Sequence, residues 1–181
     1  MLKPIRFIFM FSSSKRNKSA SKISKNKDKS FSIPEKIKVE NNENLNLCKQ
    51  SISNLNEALD KKKENGVWYK LDVSENSIDV IQDLSKITFL NNLVELRASK
   101  NMISQFIDTS LKLLVYLDLS DNWLTDIPLI NEFTQLKMLN LKNNQIKQWT
   151  GKEFKENKLL EWFDISSNRI DKVTEKHNVT M

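Results

Sequence analysis

One cysteine, one histidine, two glycines and three prolines are all that 181 residues contain of these four types. A single thiol, Cys48, closes no intrachain disulfide and argues for a reducing compartment. With His177 as the sole imidazole, a nucleophile–histidine pair or a zinc cluster finds little to draw on. Neither Gly66 nor Gly151 sits in a phosphate-binding loop pattern. No apolar run is long enough to cross a bilayer. Asp118, Asp121 and Asp126 read better as solvated charge than as metal ligands, one on a strand and two on the loop after it. These absences point away from an enzyme, and imply neither a cofactor, a metal nor a small-molecule substrate.

Positive charge is plentiful but unevenly placed. Residues 1–30 hold nine Lys or Arg against one acid, Asp28, whereas the remaining residues hold 20 basic and 22 acidic side chains. The body of the protein is therefore nearly neutral, and the basic overall balance gives it no claim on nucleic acid. Residues 1–44 read as a basic Ser/Lys/Asn-rich arm without a packed pattern, expected to be disordered. Within it, residues 1–27 are acid-free and contain Arg and Ser, which also fits a mitochondrial transit peptide, and less well a signal or membrane-surface anchor.

What is abundant is a repeat. Trp68, Leu71, Val73, Asn76 and Ile78 set a pattern of apolar, two free, apolar, one free, apolar, two free, Asn, one free, apolar. It returns as Leu93–Leu96–Ala98–Asn101–Ile103, Leu114–Leu117–Leu119–Asn122–Leu124, Leu136–Leu139–Leu141–Asn144–Ile146 and Leu160–Phe163–Ile165–Asn168–Ile170. Five copies at intervals of 21–25 residues mark a stack of similar units across 67–175. The alternation inside each copy, as in Leu117-Asp118-Leu119, reads as a short strand with one buried face. The asparagines Asn76, Asn101, Asn122, Asn144 and Asn168 read as a structural ladder, because a short amide both donates to and accepts from a bent backbone. Between strands, Ile78, Ile81, Leu84, Ile87, Leu90 and Leu93 recur every three residues, which suits tight 3₁₀-like segments rather than a long helix.

The flanks differ. Cys48, Ile52, Leu55 and Leu59 fall at helical spacing before Asn65-Gly66, so residues 45–66 read as an amphipathic helix capping the first repeat, with a partner-binding helix as the alternative. Residues 176–181 hold no clear cap, so that edge is expected to be met by further chain or by another protein.

Function is expected on the concave face, where non-core strand residues line up in columns. One column reads Lys70, Glu95, Tyr116, Met138, Trp162, and the next reads Asp72, Arg97, Asp118, Asn140, Asp164. The last three rows thus set a large apolar stripe beside Asp118, Asn140 and Asp164, with Arg97 at its end, and predict a partner-binding surface. Trp68 and Trp149 fall on core positions, while Trp123 lies at the edge of the stack.

The repeat consensus resembles the leucine-rich repeat, and its spacing is similar to that of the short intracellular class. That class includes the leucine-rich regulatory subunit of protein phosphatase 1 and the axonemal dynein leucine-rich light chain. Within it, Leu71-Asp72-Val73-Ser74-Glu75-Asn76, Leu93-Val94-Glu95-Leu96-Arg97-Ala98-Ser99-Lys100-Asn101 and Leu139-Asn140-Leu141-Lys142-Asn143-Asn144 look most like the leucine-rich-repeat proteins of ciliary radial spokes, over about residues 66–171. The resemblance implies an α/β solenoid, with a parallel concave sheet and short 3₁₀ or helical convex segments. It also implies a non-catalytic scaffold of the axoneme that holds protein partners. A cytosolic phosphatase-regulatory or general adaptor, or a mitochondrial protein, are the competing expectations.

Overall fold

The computed structural model describes residues 6–8, 44–62, 67–82, 84, 87–107, 111–150 and 152–173. In chain order the elements are β1 (Arg6–Ile8), β2 (Asn44–Asn46), α1 (Leu55–Asp60), β3 (Lys70–Asp72), β4 (Val80–Ile81) and β5 (Glu95–Arg97). There follow β6 (Gln105–Phe106), β7 (Tyr116–Asp118), β8 (Met138–Asn140), β9 (Gln148–Trp149), β10 (Trp162–Asp164) and β11 (Lys172–Val173). The long sheet runs β1-β10-β8-β7-β5-β3-β2, and every neighbouring pair in it is parallel. Two further parallel pairs, β4-β6 and β9-β11, lie in the returning segments. The sheet is parallel because each unit leaves its strand, crosses back and re-enters one layer further on.

Each strand lasts three residues because the turn that follows is built into the repeat. Leu71, Leu96, Leu117, Leu139 and Phe163 form one buried row, and Val73, Ala98, Leu119, Leu141 and Ile165 form the next. The residue before each ladder asparagine is left-handed: Glu75, Lys100, Asp121, Asn143 and Ser167 have φ between 54° and 57°. That turn swings the asparagine inward. Asn122 shows the pattern: its Nδ2 donates to Leu119 O, Ser120 O and Ala98 O, and its Oδ1 accepts from Ile103 N. Asn76, Asn101, Asn144 and Asn168 repeat it, each tying its own bend to the preceding unit. The three inner asparagines are buried and the two outer ones half-buried, each outer one having a ladder asparagine on one side only.

The period of three in the returning segments has a direct cause. Ile87 N, Leu90 N and Leu93 N donate to Leu84 O, Ile87 O and Leu90 O, and Phe133 N and Leu136 N do the same to Ile130 O and Phe133 O. Bonds spanning three residues keep every third side chain on the core face. Asn157 stands at one such position and is 1 % exposed; its amide donates to Ile130 O and Phe133 O instead of packing as an alkyl group.

Two flanking expectations need correction. Residues 45–66 are not one helix: α1 covers six residues, with Asn54 as its N-cap through Glu57 N, and Leu55 and Leu59 facing the core. Before it, β2 pairs with β3 so that Leu45 stands opposite Leu71. Lys49 takes the left-handed turn at φ 58°, Gln50 follows where the asparagine would stand, and Asn76 accepts from Gln50 N and Ile52 N. Residues 44–52 are therefore a degenerate first repeat, and the helical spacing of Cys48 with Ile52 was a coincidence of that repeat. The arm is not wholly without regular structure either, for β1 pairs with β10. The rest of the arm, residues 63–66 and the end from 174 onward lie outside the described residues.

Candidate functional site

The sheet register lines up the expected columns. Lys70, Glu95, Tyr116, Met138 and Trp162 stand opposite one another from strand to strand, as do Asp72, Arg97, Asp118, Asn140 and Asp164. Parallel strands about 4.8 Å apart put each side chain within reach of its neighbours in the column. What those side chains do is more varied than the columns suggest.

At the N-terminal half the column is charged and internally paired. Glu95 is buried, with Arg97 Nε donating to its Oε1 at 2.6 Å. Lys70 Nζ lies 3.4 Å from Glu95 Oε2, close enough for an ion pair though not aligned as a hydrogen bond. The Arg97 guanidinium stands 5.6 Å from the Tyr116 ring centre, a cation–π arrangement. Tyr116 Oη in turn donates to Asp118 Oδ2 at 3.2 Å. Burial alone would lower the Arg97 pKa, but the hydrogen bond and charge of Glu95 outweigh it and raise the value. Burial, followed by the charge of Asp118, pushes the Tyr116 phenol above its ordinary 10.0, with Arg97 pulling the other way.

At the C-terminal half the surface is aromatic. Tyr116 and Trp162 are half-buried. Met138, expected to face solvent, is only 5 % exposed. The reason is its place: the register sets it between Tyr116 and Trp162, two rings large enough to cover it.

The second column also carries a structural duty that the repeat consensus concealed. Asp118 Oδ1 accepts from Ser120 N, Asn140 Oδ1 from Lys142 N and Asp164 Oδ1 from Ser166 N; Asn46 and Asp72 do the same for Cys48 N and Ser74 N. These are side-chain turns that end each strand. Asp164, expected beside the stripe on the partner-binding face, is only 9 % exposed. Arg97 is the exception in the column: it makes no such turn and is exposed. The recurring Asn or Asp between the two strand leucines was the signal available for this role.

Of the tryptophans, Trp149 is buried and Trp68 packs partly buried against the core, as their positions suggest. Trp123 is 52 % exposed and lines a shallow cleft with Asp121, Asn143, Gln145, Ser167 and Arg169 on the edge of the stack. Among the described residues no group of three or more His, Cys, Asp or Glu could hold a metal ion. No helix there is long and apolar enough to cross a membrane.

Comparison with known proteins agrees with the repeat geometry. Residues 112–153 match the family model for leucine-rich repeats in two copies. Two solved structures from Listeria monocytogenes are similar. One is an internalin, 25% identical with a TM-score of 0.48, covering 68% of this chain and 34% of its own. The other is internalin C2, 20% identical with a TM-score of 0.47, covering 65% of this chain and 60% of its own. The chain thus spans less than two thirds of either. No curated protein matches the sequence. The asparagine ladder and the parallel sheet give this chain the fold of a leucine-rich-repeat solenoid, and residues 112–153 carry the family match.

Proposed function

We propose that the chain is a non-catalytic protein-interaction scaffold that holds a protein partner on its concave face. The observation that carries this reading is the column in which half-buried Tyr116 and Trp162 flank a buried Met138 on the parallel sheet, beside the Lys70–Glu95–Arg97 cluster. Aromatic anchors held by a firm support lose little freedom on binding, and Tyr, Trp and Arg are the residue types that dominate interface energetics. Arg97 and Asp118 stand beside the aromatics and suit a partner of mixed charge.

The test compares retention of partners from cell extract by the unaltered chain, Trp162→Ala and Leu129→Ala, the last on an exposed apolar side chain away from the sheet. Trp162→Ala should weaken binding by about 2 kcal/mol, roughly thirtyfold, at an unchanged melting temperature. Leu129→Ala should bind normally. Equal retention by all three would remove the concave face from consideration.

The finer reading, a radial-spoke-like component of the ciliary axoneme, is supported by the resemblance over residues 66–171. A cytosolic phosphatase-regulatory or general adaptor role is the alternative. A C-terminally tagged chain found along the axoneme supports the first, a diffuse cytosolic signal the second, and a mitochondrial signal neither.

A further inference from the structure

The sheet edge at β10 is occupied from an unexpected direction. Beyond the last repeat strand, the register continues with Arg6 opposite Trp162, Phe7 opposite Phe163 and Ile8 opposite Asp164. Phe7 thereby takes the register position held by Leu71, Leu96, Leu117, Leu139 and Phe163 in the successive strands. The segment Arg6-Phe7-Ile8 thus stands where the strand of a following repeat would stand, and it comes from the opposite end of the sequence. An uncovered strand edge presents a row of unpaired N–H and C=O groups, which invites another strand.

We propose that the outer edge of β10 is a second interaction surface, a strand-accepting edge whose occupant is the segment around Phe7 of this same chain, held as a detachable cap. Three register pairs are a small contact, so what keeps the cap seated is its tether. Between β1 and β2 lie 35 residues. The sheet order separates the two strands by six spacings, roughly 29 Å at about 4.8 Å each. Thirty-five residues, at up to about 3.3–3.6 Å each, are enough to bridge it. A strand joined to its own acceptor within reach stands at an effective local concentration on the order of 1 mM. At micromolar protein the edge is therefore filled in cis rather than by a second copy. A strand that binds more tightly, or a loss of the cap, opens it. This surface adjoins the concave aromatics, since Arg6 stands opposite Trp162.

The experiment uses the full chain and a fluorescent peptide of residues 2–12. Phe7→Asp combined with Ile8→Pro disables the cap, placing a charge at the register position of the leucine row and removing a backbone donor from the strand. The peptide should bind the cap-disabled chain, and the unaltered chain at least about tenfold more weakly if its own affinity is about 100 µM or tighter, because the tethered copy competes at about 1 mM. A scrambled peptide should bind neither. Absence of binding to the cap-disabled chain, or equal binding to both, overturns the proposal. A second measurement removes Cys48 by Cys48→Ser and joins one register pair through Arg6→Cys and Trp162→Cys. Oxidation at about 10 µM should give a crosslinked monomer, since adjacent strand positions lie within disulfide reach. Crosslinked dimers would show exchange between copies and overturn the cis cap, and absence of any crosslink would overturn the pairing itself.

Discussion

Replacing Asn122 probes the feature on which the stack depends. Its side chain is 4 % exposed and engages four backbone groups at 2.9–3.1 Å. In Asn122→Ala the carbonyls of Ala98, Leu119 and Ser120 each lose one donor but retain other ways to be satisfied. Ile103 N has no second acceptor to turn to, and one buried unpaired amide costs about 1–3 kcal/mol. The total for Asn122→Ala should therefore fall near 2–3 kcal/mol. Asn168→Ala removes the same bonds at a half-buried site, where water can replace them, and should cost about 1 kcal/mol. Asn122→Asp keeps the acceptor for Ile103 N but presses a carboxylate against three carbonyls. Its folded-state pKa is then raised, so its stability deficit should be smallest in acid and grow as pH rises through that pKa. Urea unfolding followed by circular dichroism, at pH 4.5 and 7.5, reads all three. Equal losses for Asn122→Ala and Asn168→Ala, or a pH-independent deficit for Asn122→Asp, would refute the burial argument.

Other outcomes follow from single side chains. With Tyr69→Phe leaving Tyr116 as the only tyrosine, no phenolate absorbance should develop near pH 10.0 while the protein stays folded. Because that phenol is raised in the folded state, its contribution is intact below pH 10 and is lost as pH climbs further, so alkaline unfolding should be steeper than in Tyr116→Phe. Lys100→Val, at φ 54°, should cost about 1–2 kcal/mol, whereas Lys100→Gly should be close to neutral; thermal melts distinguish them. Leu139→Ala, fully buried at the centre of the core row, should cost about 2–5 kcal/mol in denaturant titration and lower partner retention only through unfolding.

The sequence alone determined the repeat, its period and its buried rows, because each repeat is a local unit whose apolar spacing, left-handed turn and inward asparagine lie within about ten residues. Column membership on the concave face followed as well, since register in a stack is set by matching buried leucines. Exposure did not follow. Met138 is buried where the register sets it between Tyr116 and Trp162, and Asp164 is buried where β1 adds Ile8 opposite it. The degenerate first repeat at Leu45 and Leu47 was hidden by Gln50 in place of the asparagine, although Leu45-Asn46-Leu47 copies Leu139-Asn140-Leu141. Tertiary structure alone decided that Arg6–Ile8 stands beside β10, some 155 residues later in the chain. No local pattern encodes such a pairing, because it is chosen by which unfilled edge the finished solenoid leaves within the tether's reach.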